Sequence, residues 1–221
     1  MSRLRGTTVL FDLDGTLLDS CEGLSRCYAH ATTSMGLPTP SEAALRSCIG
    51  PPLRENFARL LGTADPATVE RAVAVFRARY DAVGWAESRL YDGVVALLEA
   101  VRALGARVLV ATAKPQKFTD RIVAHYGLDA VVDAAFGPTL DGSLDDKRRL
   151  LGHVRERTGF LPATATMVGD RANDVVAALA HGVRPLGVLW GYGSADELTS
   201  AGAVALCERP DDVLARLLGE A

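Results

Sequence analysis

Four short apolar runs constrain the fold of this 221-residue chain more than any other feature. They are Thr8-Val9-Leu10-Phe11, Arg107-Val108-Leu109-Val110-Ala111, Thr166-Met167-Val168-Gly169, and Pro185 to Trp190. None alternates apolar with polar residues, so each is expected to be a strand covered on both faces, as in a parallel sheet. Ala130-Val131-Val132 and Val204 to Cys207 are weaker strand candidates. Helical stripes alternate with the runs. Val94, Leu97, Leu98, Val101 and Leu104 share a face before Gly105, Phe118, Ile122, Val123 and Tyr126 share another before Gly127, and a third helix spans about Ala172 to His181. Ser194-Ala195-Asp196-Glu197 reads as a capping box that starts a further helix. Such alternation predicts an α/β fold, a doubly wound parallel sheet with helices on both faces.

One stretch interrupts the pattern. Residues 18–88 hold no convincing strand and read as a four-helix insertion. Ser20 can cap the first helix, which carries Leu24, Tyr28, Ala31 and Met35, and Ser41 can cap a short second. A third follows Pro51-Pro52 with Leu53, Phe57, Leu60 and Leu61, and Pro66 can open a fourth with Val69, Val73, Phe76 and Tyr80. The expected division is a catalytic core of residues 1–17 and 89–221 and a helical cap of residues 18–88, with hinges near Leu17–Asp19 and Glu87–Asp92. An insertion after the first strand lies at the carboxyl edge of the sheet, where open α/β sheets bind ligands, so it is a candidate lid. The alternative is an extra helical layer with no part in binding.

Bulk properties exclude several functions. Net charge is -3 with scattered basic residues, so neither nucleic acid nor an anionic membrane is the expected partner. Cys21, Cys27, Cys48 and Cys207 form no C-x-x-C pair, and no histidine has metal-ligand spacing, which favours reduced thiols over a zinc site. The first apolar run ends at Asp12, too early for a signal peptide or a membrane span. The chain reads as cytoplasmic, a monomer or homodimer. Gly191-Tyr192-Gly193 lacks the third glycine of a dinucleotide fingerprint and reads as a loop at the sheet edge.

The chemistry lies at the strand ends. The first strand runs into Asp12-Leu13-Asp14-Gly15-Thr16, two carboxylates two residues apart. In extended geometry they share a face and repel unless a cation or proton intervenes. The bland reading is an Asp-Gly turn. The third run ends in Gly169-Asp170, with Asp174 four residues on, where an acid also serves a helix N-terminus. That two separate strands end in carboxylates favours a site for Mg²⁺, a hard cation that shares its coordination with phosphate. Thr112 follows the second run, where a hydroxyl and free amides hold phosphate oxygens or, alternatively, cap a helix. Lys147 stands at a predicted helix start, either beside a bound anion or in a solvated Lys-Arg-Arg run.

Taken in order, Asp12-Leu13-Asp14-Gly15-Thr16, Thr112, Lys147 and Gly169-Asp170-Arg171-Ala172-Asn173-Asp174 resemble the motifs of the haloacid dehalogenase superfamily, phosphatase branch. Ile49-Gly50-Pro51-Pro52-Leu53, Thr112-Ala113-Lys114-Pro115 and Trp190-Gly191-Tyr192-Gly193-Ser194 make the chain most similar to the phosphoglycolate phosphatase-like subgroup, whose small α-helical cap the insertion matches. The resemblance implies an Mg²⁺-dependent phosphatase for small-molecule phosphate monoesters. Asp12 would be the nucleophile that forms an aspartyl-phosphate, and Asp14 the acid and base. Asp12, the main-chain carbonyl of Asp14, Asp170 and Asp174 would hold the metal, and Thr112 and Lys147 the phosphoryl oxygens. Arg148 follows Lys147 where close relatives carry proline, which leaves Lys114 and Lys117 as rival phosphate ligands. Asp14 speaks against a dehalogenase, and the absence of lysine from residues 18–88 against Schiff-base phosphonate cleavage. Arg54 is a candidate contact for a substrate carboxylate or second phosphate, or else a surface arginine on an amphipathic helix. A sugar phosphomutase, a nucleotidase and a non-catalytic binding protein remain the competing functions.

Overall fold

The computed structural model describes residues 3–49, 52–139 and 144–220. Gly50 and Pro51 of the Ile49–Leu53 segment, and Ser143 ahead of Lys147, lie outside the described residues. In chain order, β1 (Thr8–Phe11) and β2 (Leu18–Asp19) lead into α1 (Cys21–Ser34), α2 (Glu42–Arg46), α3 (Leu53–Leu61) and α4 (Pro66–Ala82). The chain continues as β3 (Arg89–Leu90), α5 (Val94–Ala103), β4 (Arg107–Ala111), α6 (Gln116–His125), β5 (Ala134–Phe136) and α7 (Lys147–Thr158). It ends with β6 (Ala165–Gly169), α8 (Ala172–Ala180), β7 (Arg184–Val188), α9 (Ala195–Ala201), β8 (Ala205–Cys207) and α10 (Pro210–Leu217). Two compact units result, Met1–Asp19 with Leu90–Ala221, and Ser20–Arg89.

The first unit is a six-stranded sheet in the order β5-β4-β1-β6-β7-β8, and every pairing is parallel. β1 lies between β4 and β6, with Phe11 opposite Val110 on one side and Val168 on the other. The chain fills β1, β4 and β5 in one direction, then returns to β6 and fills the other. Right-handed crossovers therefore place α5 and α6 on one face and α7, α8 and α9 on the other. Leu10, Leu109, Met167, Leu150, Leu151, Val154, Ala177 and Ala178 pack into one buried cluster between the sheet and the second helical face. Side chains alternate along a strand, so Val9, Val108 and Val110 point to the face covered by α5, against which α10 packs. This two-sided burial is the physical reason for the uninterrupted apolar runs.

Within this unit, local details depart from the sequence reading in three places. Ala130-Val131-Val132 is not a strand: Leu128–Ala130 is a 3₁₀ turn and the edge strand forms later, at Ala134–Phe136. There the ladder to β4 supplies the order that three apolar side chains alone do not. The run Pro185–Trp190 ends its strand at Val188, and Leu189 and Trp190 leave toward a loop. Ser194 caps α9 through Glu197 N (3.1 Å), but the Glu197 carboxylate points to Arg171 rather than back to its own cap.

The second unit is helical, as expected. Ser41 accepts from Ala44 N (3.3 Å), Asp65 accepts from Thr68 N (2.9 Å) with Pro66 following it, and Gly62 ends α3 in the left-handed region. Ser20 precedes α1 without a side-chain cap bond. Tyr28, Phe57 and Phe76 form an aromatic centre, with ring centroids 4.8–5.9 Å apart. Asn56 is buried beside it and donates to Tyr28 Oη (2.9 Å) and to the Cys48 carbonyl (2.8 Å), which ties the start of α3 to the turn after α2. Phe57 is fully buried in this unit. Phe57→Ala is expected to cost about 3–5 kcal/mol, read as a lower midpoint in urea unfolding followed by circular dichroism.

Candidate active site

The ladder of β1 extends one residue past the strand, because Asp12 N donates to the Val168 carbonyl (2.9 Å). The chain then folds back on itself. Leu17 N and Leu18 N both donate to the Leu13 carbonyl, and Gly15 N donates to Leu18 O. Gly15 adopts φ 83°, a conformation that other residues rarely take. This tight turn separates the two acids. Asp12 is buried along the strand axis, and Asp14 sits on the turn, partly open.

Asp12, Asp170 and Asp174 converge. One carboxylate oxygen from each lies within 4.8 Å of the others, and all three residues are buried. The cause is topological: β1 and β6 are neighbours in register, so their carboxyl ends open side by side. Asp174 reaches the group from the first turn of α8, where its Oδ2 also accepts from Arg171 N (3.1 Å). Lys147 enters from the start of α7. Its Nζ is 2.8 Å from Asp12 Oδ1 and also pairs with Asp174 Oδ1. Burial alone would push the Lys147 ammonium down, but Asp12 and Asp174 outweigh it and hold it above its ordinary value. Lys147 is therefore no solvated surface cation; in that run Arg148 and Arg149 are exposed, and Arg148 pairs with Asp146.

One lysine does not offset three buried carboxylates. Burial, with the charges of Asp12 and Asp174, pushes the Asp170 carboxyl up to about 8. Burial also raises Asp174, against the pull of Lys147. An all-oxygen set of this kind fits a hard divalent cation, whose charge relieves the repulsion. Main chain packs closely against these acids. A Cβ on Gly169 would lie 2.5 Å from Asp174 Cβ, and one on Gly191 would lie 2.5 Å from Asp170 Cβ. The loop after β7 encloses Asp170. Tyr192 N donates to Asp170 Oδ2 (2.8 Å), Trp190 Nε1 donates to the Thr16 carbonyl (2.9 Å), and Tyr192 Oη donates to Asp19 (3.0 Å). The sequence marked this loop but did not indicate its partners.

Thr112 continues the β4–β5 ladder through its own N–H to Phe136 O (3.0 Å), and its hydroxyl accepts from Lys114 N (3.2 Å). It is not the cap of α6, which begins at Gln116 after Pro115. Lys114 is buried and its Nζ lies 2.9 Å from Asp14 Oδ2, so the two acids of the turn each hold a different lysine. Lys117 is exposed and lies over the Phe118 ring. In the helical unit, Arg54 pairs with Glu70 through Nε and Nη2, both side chains exposed. Two contacts escaped the sequence reading: Lys114 with Asp14, and Glu197, which accepts from Arg171 Nε and Ala172 N (both 2.8 Å) and so secures the start of α8. An acid at the third position of a predicted helix was the only sequence signal for Glu197.

Comparison with known proteins agrees with this geometry. The tyrosine-protein kinase PtkA of Mycobacterium tuberculosis is 40% identical over 188 residues, 85% of this chain and 64% of the relative, so the chain spans under two thirds of that relative's length. A solved PtkA structure superposes with a TM-score of 0.83 at 37% identity, covering 97% of this chain and 99% of the other. A 5'-nucleotidase of Pseudomonas aeruginosa is 39% identical over 88% of each chain. A phosphoglycolate phosphatase of Xanthomonas campestris is 30% identical over 86% of each. The model of the haloacid dehalogenase-like hydrolase family matches residues 9–188, the stretch that holds the Asp12 turn, Thr112, Lys147 and Asp170 with Asp174. The chain belongs to the haloacid dehalogenase-like hydrolase family.

Proposed function

We propose that the chain is a magnesium-dependent phosphatase that hydrolyses small-molecule phosphate monoesters through an aspartyl-phosphate. The observation that carries the reading is the split of the Asp12–Asp14 pair. Asp12 joins the buried carboxylate group with Lys147, and Asp14 stands apart with Lys114. Two like groups in unlike surroundings take different roles.

Asp12 attacks phosphorus, and its oxygen bonds to phosphorus as the ester P–O bond breaks. Asp14 gives its proton to the departing alcohol oxygen, then takes one from the water that opens the phospho-Asp12 bond. Lys147 and the Thr112 hydroxyl hold the transferring oxygens and balance their charge. Asp12, the main-chain carbonyl of Asp14 and Asp170, supported by Asp174, are the residues that would hold Mg²⁺. Bound there, the ion would neutralise charge so that an anionic nucleophile can meet an anionic phosphate. Asp14 Oδ1 and Asp12 Oδ1 are buried without a hydrogen-bond donor among the described residues, apart from the Lys147 ion pair, which fits a site completed by ligands.

Phosphoglycolate-like and nucleotide monophosphates are the substrate classes we propose, in line with the names of two relatives. The same phospho-aspartate can pass its phosphoryl group to another acceptor, a sugar hydroxyl in a mutase or a tyrosine hydroxyl as PtkA's name suggests. Free phosphate released from a panel of metabolite esters, set against label transferred to sugar or protein, separates these outcomes. The Glu70 pair favours the surface reading of Arg54, so Arg54→Ala is expected to change the KM of the best substrate by less than about twofold, consistent with the small worth of exposed pairs.

Asp12→Asn is expected to cut phosphate release at least about 10³-fold, and Asp14→Asn about 10²–10⁴-fold. Full activity in Asp12→Asn would remove it from the nucleophile's role. Stability gives a second check. Because Asp170 is raised from 3.8 to about 8, the native protein binds a proton that the unfolded chain has lost. Without metal, stability should therefore fall as pH rises from about 4 to about 8. Excess Mg²⁺ should raise the Tm, and by more near pH 8 than near pH 5. Differential scanning fluorimetry with no shift at either pH would count against the cation site.

A further inference from the structure

The chain has 24 lysines and arginines, and only Lys114, Lys117 and Lys147 are lysines. Two of these three are buried, and each pairs with one acid of the Asp12 turn. A buried ammonium costs several kcal/mol unless a partner compensates it, so neither placement is incidental. The function proposed above uses Lys147 and leaves Lys114 without a task.

The turn that presents Lys114 is anchored on both sides. Its N–H donates to Thr112 Oγ1 (3.2 Å), and its carbonyl accepts from the buried Thr119 hydroxyl (3.1 Å). Gln116 N donates to the Pro138 carbonyl (2.8 Å), and Gln116 Oε1 accepts from Gly137 N (2.7 Å). A Cβ on Gly137 would collide with the Lys114 carbonyl oxygen, so the two loops fit only with glycine there. Asp14 sits on the other side of the ion pair, its side chain partly open. Lys114 takes Oδ2 of Asp14 at 2.9 Å, and Oδ1 is buried without a hydrogen-bond partner among the described residues.

We propose that Lys114 is a positioning residue for the acid/base chemistry: it fixes one carboxylate oxygen of Asp14 so that the other is aimed for proton transfer. The inference rests on the acid/base reading of Asp14. It assigns Lys114 to the leaving-group side of the site, because Lys114 stands at Asp14 while Lys147 stands at Asp12.

Two ester classes test it. An alkyl phosphate such as glycerol phosphate needs its leaving oxygen protonated; 4-nitrophenyl phosphate releases a stable phenolate and does not. The quantity to compare is kcat/KM, which reports the steps up to alcohol release. Lys114→Met should lower it by about 10²-fold for the alkyl ester and by less than about fivefold for the aryl ester. Lys114→Arg should restore most of the alkyl activity. In an Asp14→Asn background, Lys114→Met should add little further loss on the alkyl ester. Retained kcat/KM on the aryl ester shows that the site is folded. Equal losses on both esters, or an additive loss in the Asp14→Asn background, would overturn the inference. The Asp14→Asn variant alone separates the two levels: ester-independent loss there ends the acid/base reading and this inference with it, whereas ester-dependent loss in Asp14→Asn but not in Lys114→Met ends only the role of Lys114.

Discussion

The buried pairing of Lys147 with Asp12 and Asp174 is the interaction on which the core of this protein turns. It joins three elements that are remote in sequence: the end of β1, the start of α7 and the first turn of α8. A buried ion pair adds little to stability over a well-packed apolar alternative, but removing one partner strands a charge at a cost of about 3–5 kcal/mol. The arrangement is therefore stiff rather than strongly stabilising. It holds the carboxylates close together against the cost of burying them, a cost that one lysine does not offset, as the raised Asp170 shows.

Stiffness also comes from backbone packing around Asp170. The Trp190–Gly193 loop leaves no space for side chains at Gly191, and it spends a main-chain N–H, an indole N–H and a phenol on Asp170, Thr16 and Asp19. Loops normally carry mobility. This one is bound at each of these points to the turn that bears Asp12 and Asp14 or to the acid beside it. The Lys114 turn follows the same plan, with hydroxyls of Thr112 and Thr119 closing its ends. Each acid of the Asp12 turn thus has its own cation and its own support, which gives two identical residue types unlike surroundings.

The helical unit is built differently. Its centre is aromatic, and its one buried amide, Asn56, is satisfied by a phenol and a carbonyl. Arg79 and Arg26 converge on Glu87 within the same unit. No helix among the described residues is long and apolar enough to cross a membrane.

Much of the core was legible in the chain. Uninterrupted apolar runs identify strands buried on both faces, because covering by helices removes any need for polar alternation. Carboxylates directly after two such runs identify the edge where Asp12, Asp170 and Asp174 converge. The weak strand at Ala130–Val132 was misplaced because a short edge strand owes its position to the ladder with β4, not to its own side chains. The capping box at Ser194 was half right, since Glu197 found a better donor in Arg171 of another element. The sequence by itself determined the parallel core, the helical insertion and the acids at the strand ends, because these follow from local periodicity and turn chemistry. Only the tertiary structure decided which lysine meets which aspartate. Lys147 and Asp12 are far apart along the chain, as are Lys114 and Asp14, and only the neighbouring of β4, β1 and β6 brings each pair within 3 Å.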